Sequence, residues 1–498
     1  MNSLLQIPQR LLQQISERFP NQFGNTPSAS QFHVTAFLLL LFAGYLAFSG
    51  IMLLLYPDLG PKLVIAACGG FTLMWLGPRV TFPLYFATWF STALPVPGLP
   101  VSLNRALAAA MLASWLAHCI RFPLRVPRFP GAWLLMVMTL YAVTLNILMK
   151  DTTSPASIQQ VVYFIMGLLV FSVYKTKEDY LQLARVLVMI TAVITSVGIV
   201  EFILRRELFA FLSETRITAT NIRINGISKN AIQYAFNATW ALPLALVWHI
   251  QARTRLSSLL TLGLVIYLLT ACLLTFNRQT PIILGAMIFV GLMLVRYKYR
   301  IRLLAVFLLI TAAITPFVVG KILERYNNIG ESRPDVSIAV RADKFRVARE
   351  ILRDHWVLGI GLNNFKDYWF EYKPRGELYQ IHTDPEHEYY IDLGYMQLLT
   401  ETGIVGLLAF VALMVISAGT WFVAWWRSLK IPDPLVTNIL AALAMNFTQL
   451  LISNLIQDTF YTPHTYLLFF LFFAALVIAK QEGRSQQNGD GVSPSLTT

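Results

Sequence analysis

Charge is scarce in this sequence. Only 13% of its 498 residues are Asp, Glu, Lys or Arg, while 56% are hydrophobic; an ordinary water-soluble domain carries about a quarter charged residues. The deficit is uneven. Long apolar runs alternate with short polar joints, and residues 321–388 hold a dense mixture of both signs. A chain whose solvent is lipid has this pattern, because each span needs roughly 20 apolar residues and a backbone satisfied internally. The net charge of +13 invites a nucleic-acid reading. The Lys and Arg gather in the joints between apolar runs, however, as they do in the cytoplasmic loops of membrane proteins. Cysteine is rarer still: Cys68, Cys119 and Cys272 lie inside apolar runs without paired spacing. That favours small core residues over a disulfide framework or a metal site. No Gly-rich loop ending in Lys-Ser or Lys-Thr is present, which removes support for an ATP-driven pump. No Asp-x-Asp pair occurs, which weakens the case for a metal-held nucleotide sugar.

What is present predicts an all-α polytopic integral membrane protein with about fourteen transmembrane helices and one large extracytoplasmic loop. Residues 1–30 lack a signal peptide. Leu4, Leu5, Ile7, Leu11, Leu12, Ile15 and Phe19 recur there at helical spacing, which suits a helix lying on the membrane surface. Spans are expected near 34–55, 62–77, 80–94, 102–120, 131–149, 158–174, 181–204, 230–250, 256–276, 280–295, 301–320, 392–426, 434–456 and 464–479. The expected organisation is a cytoplasmic amphipathic segment at 1–33, a transmembrane bundle at 34–320, and a large extracytoplasmic loop at 321–391. Transmembrane helices follow at 392–479, and a disordered cytoplasmic tail at 480–498. With this count Arg79, Arg121, Arg125, Arg128, Lys175, Lys177, Arg253, Arg255, the cluster Arg296–Arg302, Arg427, Lys430, Lys480 and Arg484 fall on one side, which assigns both termini to the cytoplasm. A few cations break the bias, among them Arg216, Arg223, Lys229 and Arg278. Arginine held against the charge rule is a candidate for function or a surface cation.

The large loop carries the densest chemistry. From Ser337 to Trp356 the pattern is helical, with Ile338, Phe345, Ala348 and Leu352 on one face and Arg346, Arg349 and Arg353 on another. Arg341 falls among the apolar positions, where it needs an anion or must reach out to water. Phe365, Tyr368, Trp369, Phe370, Tyr372 and Tyr379 form an aromatic segment suited to sugar rings or to the membrane interface. The loop closes on His382-Thr-Asp-Pro-Glu-His387-Glu-Tyr-Tyr390. There Asp384, Glu386 and Glu388 surround His387 and favour its charged form. Zinc is the rival reading, but the spacing fits no standard ligand motif.

These stretches resemble the O-antigen ligase and polymerase superfamily of bacterial cell-envelope glycosyltransferases. The resemblance rests on Arg341 at the head of an amphipathic helix, Trp356-Val-Leu-Gly-Ile-Gly-Leu-Asn-Asn-Phe365, His387-Glu-Tyr-Tyr390 and Leu398-Leu-Thr-Glu401-Thr-Gly403-Ile-Val-Gly406. Upstream, Arg223-Ile-Asn-Gly226 with Asn230, and Asn277-Arg278 at the head of a span, are similar to the family's two other arginine regions. The chain departs from the family pattern in having Glu388 after His387 and a long run to Glu401, which leaves His382 and Asp392 as competing bases.

The resemblance implies transfer of a glycan from undecaprenyl diphosphate to an acceptor hydroxyl of a glycan or glycolipid, at the outer face of the bacterial inner membrane, with no cofactor and no metal. Arg223, Arg278 and Arg341 would stabilise the leaving diphosphate with permanent charge and forked donors, and His387 would take the acceptor proton. Asn230, Gln233 and Asn237 would line the substrate pocket or bond helix to helix, with Trp369, Tyr390 and Glu401 as further substrate contacts. A polysaccharide or lipid transporter is the alternative. It explains the helices but not the histidine-rich loop, and its expected mid-membrane carboxylates are nearly absent.

Overall fold

The computed structural model describes residues 76–90, 103–121, 126–150, 155–204, 231–277, 279–295, 336–372, 393–431, 433–455 and 462–489, with a few single positions besides. Among these residues every regular element is helical. The helices are α1 (Pro78–Ala87, running on as a 3₁₀ turn Thr88–Phe90), α2 (Leu103–Arg121), α3 (Pro130–Lys150), α4 (Pro155–Val173), α5 (Lys177–Leu204) and α6 (Ala231–Ile250). They continue as α7 (Arg255–Leu273), α8 (Gln279–Leu294), α9 (Val336–His355), α10 (Phe365–Tyr372), α11 (Gly394–Ser428), α12 (Pro434–Ser453) and α13 (Pro463–Gly489).

Seven of them, α2, α3, α5, α7, α11, α12 and α13, are long and apolar enough to cross a membrane. Two shorter apolar stretches, Ile158–Val173 and Gln279–Leu294, accompany them. The expected span at 230–250 takes shape as α6, but Gln233, Asn237 and His249 interrupt its apolar run and it is not among the seven. The span expected at 80–94 is a short helix with a 3₁₀ end. That at 34–55, nearly all of those at 62–77 and 301–320, and the N-terminal segment lie outside the described residues. The chain is a multi-pass membrane protein, and seven is the number of spans that the described residues support by length and hydropathy.

The chain divides into two compact units, the smaller made of Met1–Thr81, Pro97–Pro100 and Ala109–Leu124. The larger holds everything discussed below. Its core is a bundle in which α6 packs on α5, α7 and α12, α8 on α12, α4 on α13, and α3 on α11. Small residues permit the close approaches. A Cβ at Gly167 of α4 would sit 2.0 Å from the Phe470 ring of α13, so the missing side chain is the socket for that ring.

The bundle has two chemically distinct ends. At one, Lys177 opens α5 and reaches Asp433 at 2.8 Å and Glu482 at 3.3 Å. This tie anchors α13 at Glu482 within a helix that continues to Gly489, where the polar sequence from 480 onward predicts a disordered tail; residues 490–498 of that tail lie outside the described residues. Trp421 and Trp425 stack with centroids 5.9 Å apart and donate their indole N–H groups to the Leu440 and Leu294 carbonyls. With Arg427 and Lys430 beside them, they form the aromatic and basic rim expected at a membrane interface. At the other end the Tyr395 N–H donates to the Asn454 carbonyl at 3.3 Å, joining the head of α11 to the foot of α12. α9 and α10 stand at this second end.

Candidate functional site

α9 and α10 fold into a small unit of their own. Val347, Ala348 and Ile351 of α9 bury against Ile360, Phe365, Trp369 and Ile391. This places the apolar face one register away from the sequence expectation: Phe345 is exposed and Val347 is covered, because the helix lays its 344/347/348/351 stripe on the core. Arg341 precedes that stripe by three and seven residues and is half-buried, consistent with an arginine among apolar positions. Asp343 and Lys344 next to it are buried, and Arg346 lies 3.7 Å from Asp343. Arg349 and Arg353 are exposed; Arg353 pairs with Glu350.

Trp369 is only 1% exposed. It meets Phe365 edge-on with centroids 5.7 Å apart, so its ring is a core element with no face open to a sugar. The aromatic groups nearer the surface are Tyr368 and Tyr372, which flank His355 at 5.4 and 6.2 Å. Tyr372 donates to Asp354 Oδ2 at 2.9 Å. Its phenol is pushed up to about 12 by desolvation first and then by the Asp354 carboxylate that accepts its hydrogen bond. His355 is a histidine that sequence reasoning passed over, since its aromatic neighbours lie more than a dozen residues downstream.

The turn after α9 is the structural centre of this region. α9 ends when Gly359 adopts φ +75° and donates to the His355 carbonyl at 2.9 Å. α11, predicted as one continuous span, is broken at Gly403, where φ is 66° and ψ −172°. A helix break inside a membrane frees backbone groups that lipid cannot satisfy. Here the post-α9 turn supplies the partners. Ile360 and Gly361 donate to the Thr400 and Glu401 carbonyls at 3.1 and 2.8 Å, and Ile404 and Val405 donate to the Trp356 and Val357 carbonyls at 2.9 and 3.4 Å. The backbones approach so closely that a Cβ at Gly359 would lie 2.5 Å from the Glu401 carbonyl carbon. The Tyr141 hydroxyl, midway along α3, bonds both the Leu358 and Thr402 carbonyls. That sets the turn level with the interior of a spanning helix, and Trp356, Val357 and Leu358 are exposed there.

Glu401 is enclosed in this joint at 1% exposure, and its Oε1 accepts from Gln397 Nε2 at 3.2 Å. The structure therefore gives it a packing position rather than an open substrate contact. The Trp356–Phe365 and Leu398–Gly406 stretches, distant in sequence, are two halves of one joint.

The other expected site residues divide between described and undescribed positions. Arg223, Asn230, Arg278, His382, His387, Tyr390 and Asp392 lie outside the described residues. Their neighbours are informative. Ile224 is buried with Tyr234 and Ala271, and Leu274 packs on the same cluster, so the segment after Arg223 and the α7–α8 turn before Arg278 share one patch. Gly198 makes room for it: a Cβ there would sit 2.3 Å from Ile224. Gln233 is half-buried and donates to the Trp89 carbonyl at 3.3 Å. Asn237 is buried, and its amide atoms have no hydrogen-bond partner among the described residues.

Close by is a second group that sequence reasoning missed. His464, at the head of α13, is buried against the rings of Trp89, Phe236, Trp240 and Phe86, with centroids 4.9 to 6.2 Å away. Gln449 donates to the Phe236 carbonyl beside it at 2.9 Å. These partners come from four separate helices or turns, so no local motif announces them. Among the described residues no three His, Cys, Asp or Glu side chains group as metal ligands.

The site is thus defined as a folded helical unit that dips into one end of a multi-pass membrane bundle through a paired backbone joint. Residues 262–411 match the family model described as O-Antigen ligase (Wzy_C). The match begins within α7 and ends just past Gly406, so it takes in α8, α9, α10 and both halves of the joint. This domain is that of the O-antigen ligase/polymerase superfamily. No curated protein matches the chain.

Proposed function

We propose that the protein is a glycosyltransferase of the bacterial inner membrane. In this reading it transfers or polymerises a glycan carried on undecaprenyl diphosphate onto an acceptor hydroxyl at the outer face, inverting the anomeric centre and using no metal. The observation that carries the proposal is the joint. The two stretches that bear the family resemblance dock on each other within the stretch matched to the O-antigen ligase model, and they fix α9, which carries Arg341, at the end of the bundle where Ile224 and Leu274 also pack.

The acceptor oxygen attacks the anomeric carbon while its proton passes to His387, or to His382 or Asp392 if the base lies there. The bond from that carbon to the diphosphate oxygen breaks, and undecaprenyl diphosphate leaves as the anion. Arg223, Arg278 and Arg341 receive the developing charge; their planar forks match phosphate oxygens and stay charged at every working pH. Asn230, Gln233 and Tyr390 orient the sugar, while Asn237, as buried as Trp369 and Glu401, stays within the helix packing.

The test is activity of the purified protein on a lipid-diphosphate glycan. Arg278→Lys and Arg341→Lys should each lose about 10²–10³ in rate with folding intact, and His387→Ala should be inactive while His382→Ala is active. Exhaustive chelation should leave the rate unchanged. Lysine variants of normal activity would remove the bidentate role, and loss on chelation with rescue by zinc or magnesium would turn the histidines into metal ligands.

A further inference from the structure

At the basic end of the bundle, away from the α9–α10 unit, α5, α6, α7 and α12 border a cavity of about 610 Å³. Its acids are Glu178 and Asp433, and its cations are Lys177, Arg185 and Arg253. Lys177 is already engaged, by Asp433 and by Glu482. Arg185 forms no ion pair among the described residues; its guanidinium stands 5.8 Å from the centre of the Trp248 ring. The lining is therefore left with two arginines against one carboxylate. Arg185 lies eight residues beyond Lys177 on α5, ~12 Å farther along the helix, within the stretch Lys177–Leu204 that is apolar enough to span. A guanidinium at that depth either reaches back to water or takes an anion.

We propose that this cavity binds the phosphate of an anionic phospholipid from the leaflet at this end, the cytoplasmic one by its charge. Arg185 and Arg253 hold the phosphate oxygens, and Arg is the side chain whose fork fits them. Trp248 covers the glycerol backbone, as an indole does at the boundary between headgroup and hydrocarbon. The Thr254 hydroxyl accepts from the Ser257 amide at 3.1 Å and keeps its own proton to donate. The site is at the opposite end of the bundle from the proposed chemistry, so its existence does not depend on that reading.

The test uses the full chain in a non-ionic detergent and follows its Tm on titration with dioctanoyl phosphatidylglycerol, dioctanoyl phosphatidylcholine or inorganic phosphate. Phosphatidylglycerol should raise Tm saturably, and Arg185→Gln/Arg253→Gln should weaken its apparent affinity at least about tenfold, the loss of one charged contact or more. Arg253→Gln alone, at an exposed joint, should weaken it in the same direction and guards against a misfolded double variant. Phosphatidylcholine and inorganic phosphate should act more weakly. Equal responses of wild type and both variants, or no saturable response to phosphatidylglycerol, would overturn the site. A variant-sensitive response to inorganic phosphate as strong as that to phosphatidylglycerol would overturn the lipid as its source.

Discussion

Gly403→Ala tests the joint directly. At φ 66° and ψ −172° the position occupies a region open essentially to glycine alone, and an alanine there costs about 1–3 kcal/mol in backbone strain. The new Cβ would lie 2.1 Å from the Val357 carbonyl oxygen and 2.7 Å from the Gly359 nitrogen. Both are backbone atoms, so no side-chain rotation relieves the clash. The turn must withdraw, and the Ile404–Trp356 and Val405–Val357 hydrogen bonds are lost at about 1 kcal/mol each. The joint is then destabilised by about 3–5 kcal/mol, and at roughly 1.4 kcal/mol per tenfold change its opening becomes about 10²- to 4 × 10³-fold more frequent. Hydrogen exchange on the purified protein reads this locally. The amides of Ile360, Gly361, Ile404 and Val405 should exchange faster by that factor while those of α12 stay unchanged. Gly419→Ala in the same helix is the control, since nothing lies within 4 Å of a Cβ there and alanine favours a helix by about 1 kcal/mol. Unchanged protection in Gly403→Ala would refute the close approach.

Gly198→Ala should lower thermal stability by about 1–3 kcal/mol through overpacking, because its Cβ would meet Ile224 at 2.3 Å and Tyr234 at 2.8 Å; an unchanged Tm would contradict that seat. Tyr372 holds its proton to about 12 in the folded protein against 10.0 for an ordinary tyrosine. The folded state thus binds more protons than the unfolded one between those values, and this contribution to stability falls as pH rises from 10 to about 12. Absorbance titration of wild type minus Tyr372→Phe should show one phenol ionising near the upper value, and a transition near 10 would remove the Asp354 bond. Fluorescence of a cytoplasm-only reporter fused near Gly376 should be absent if the segment 321–391 lies outside, and a bright fusion would reverse the orientation.

The apolar runs foretold the helices closely where the run is clean. α8, α12 and α3 begin and end within a few residues of their expected bounds, since hydropathy and length decide a span. The break in α11 was hidden for the same reason: Gly403 sits in an apolar run, where glycine is common in spanning helices. Only the approach of Val357, over forty residues earlier, dictates its backbone. Trp369 illustrates a limit of composition. An aromatic-rich segment signals either a sugar platform or a core, and the position of Phe365 and Ile391 around it decided for the core. The His464 cage escaped because its rings come from α1, the 3₁₀ turn and α6. The extension of α13 escaped because its partner, Lys177, is remote in sequence. Arg223 and Arg278, picked out as cations placed against the charge bias, lie outside the described residues, and the structure describes only their neighbours Ile224 and Leu274, which share one cluster.

The paired joint also imposes an order of assembly. Residues 356–361 leave the ribosome well before Thr400–Val405, yet their amides and carbonyls find partners only there. Until α11 has emerged and bent at Gly403, the turn after α9 has no dry place to go and must wait in water. The turn that ends α9 therefore reaches its final pairing after the helix that follows it, and a chain truncated before Gly403 would carry α9 and Arg341 without the half that seats them.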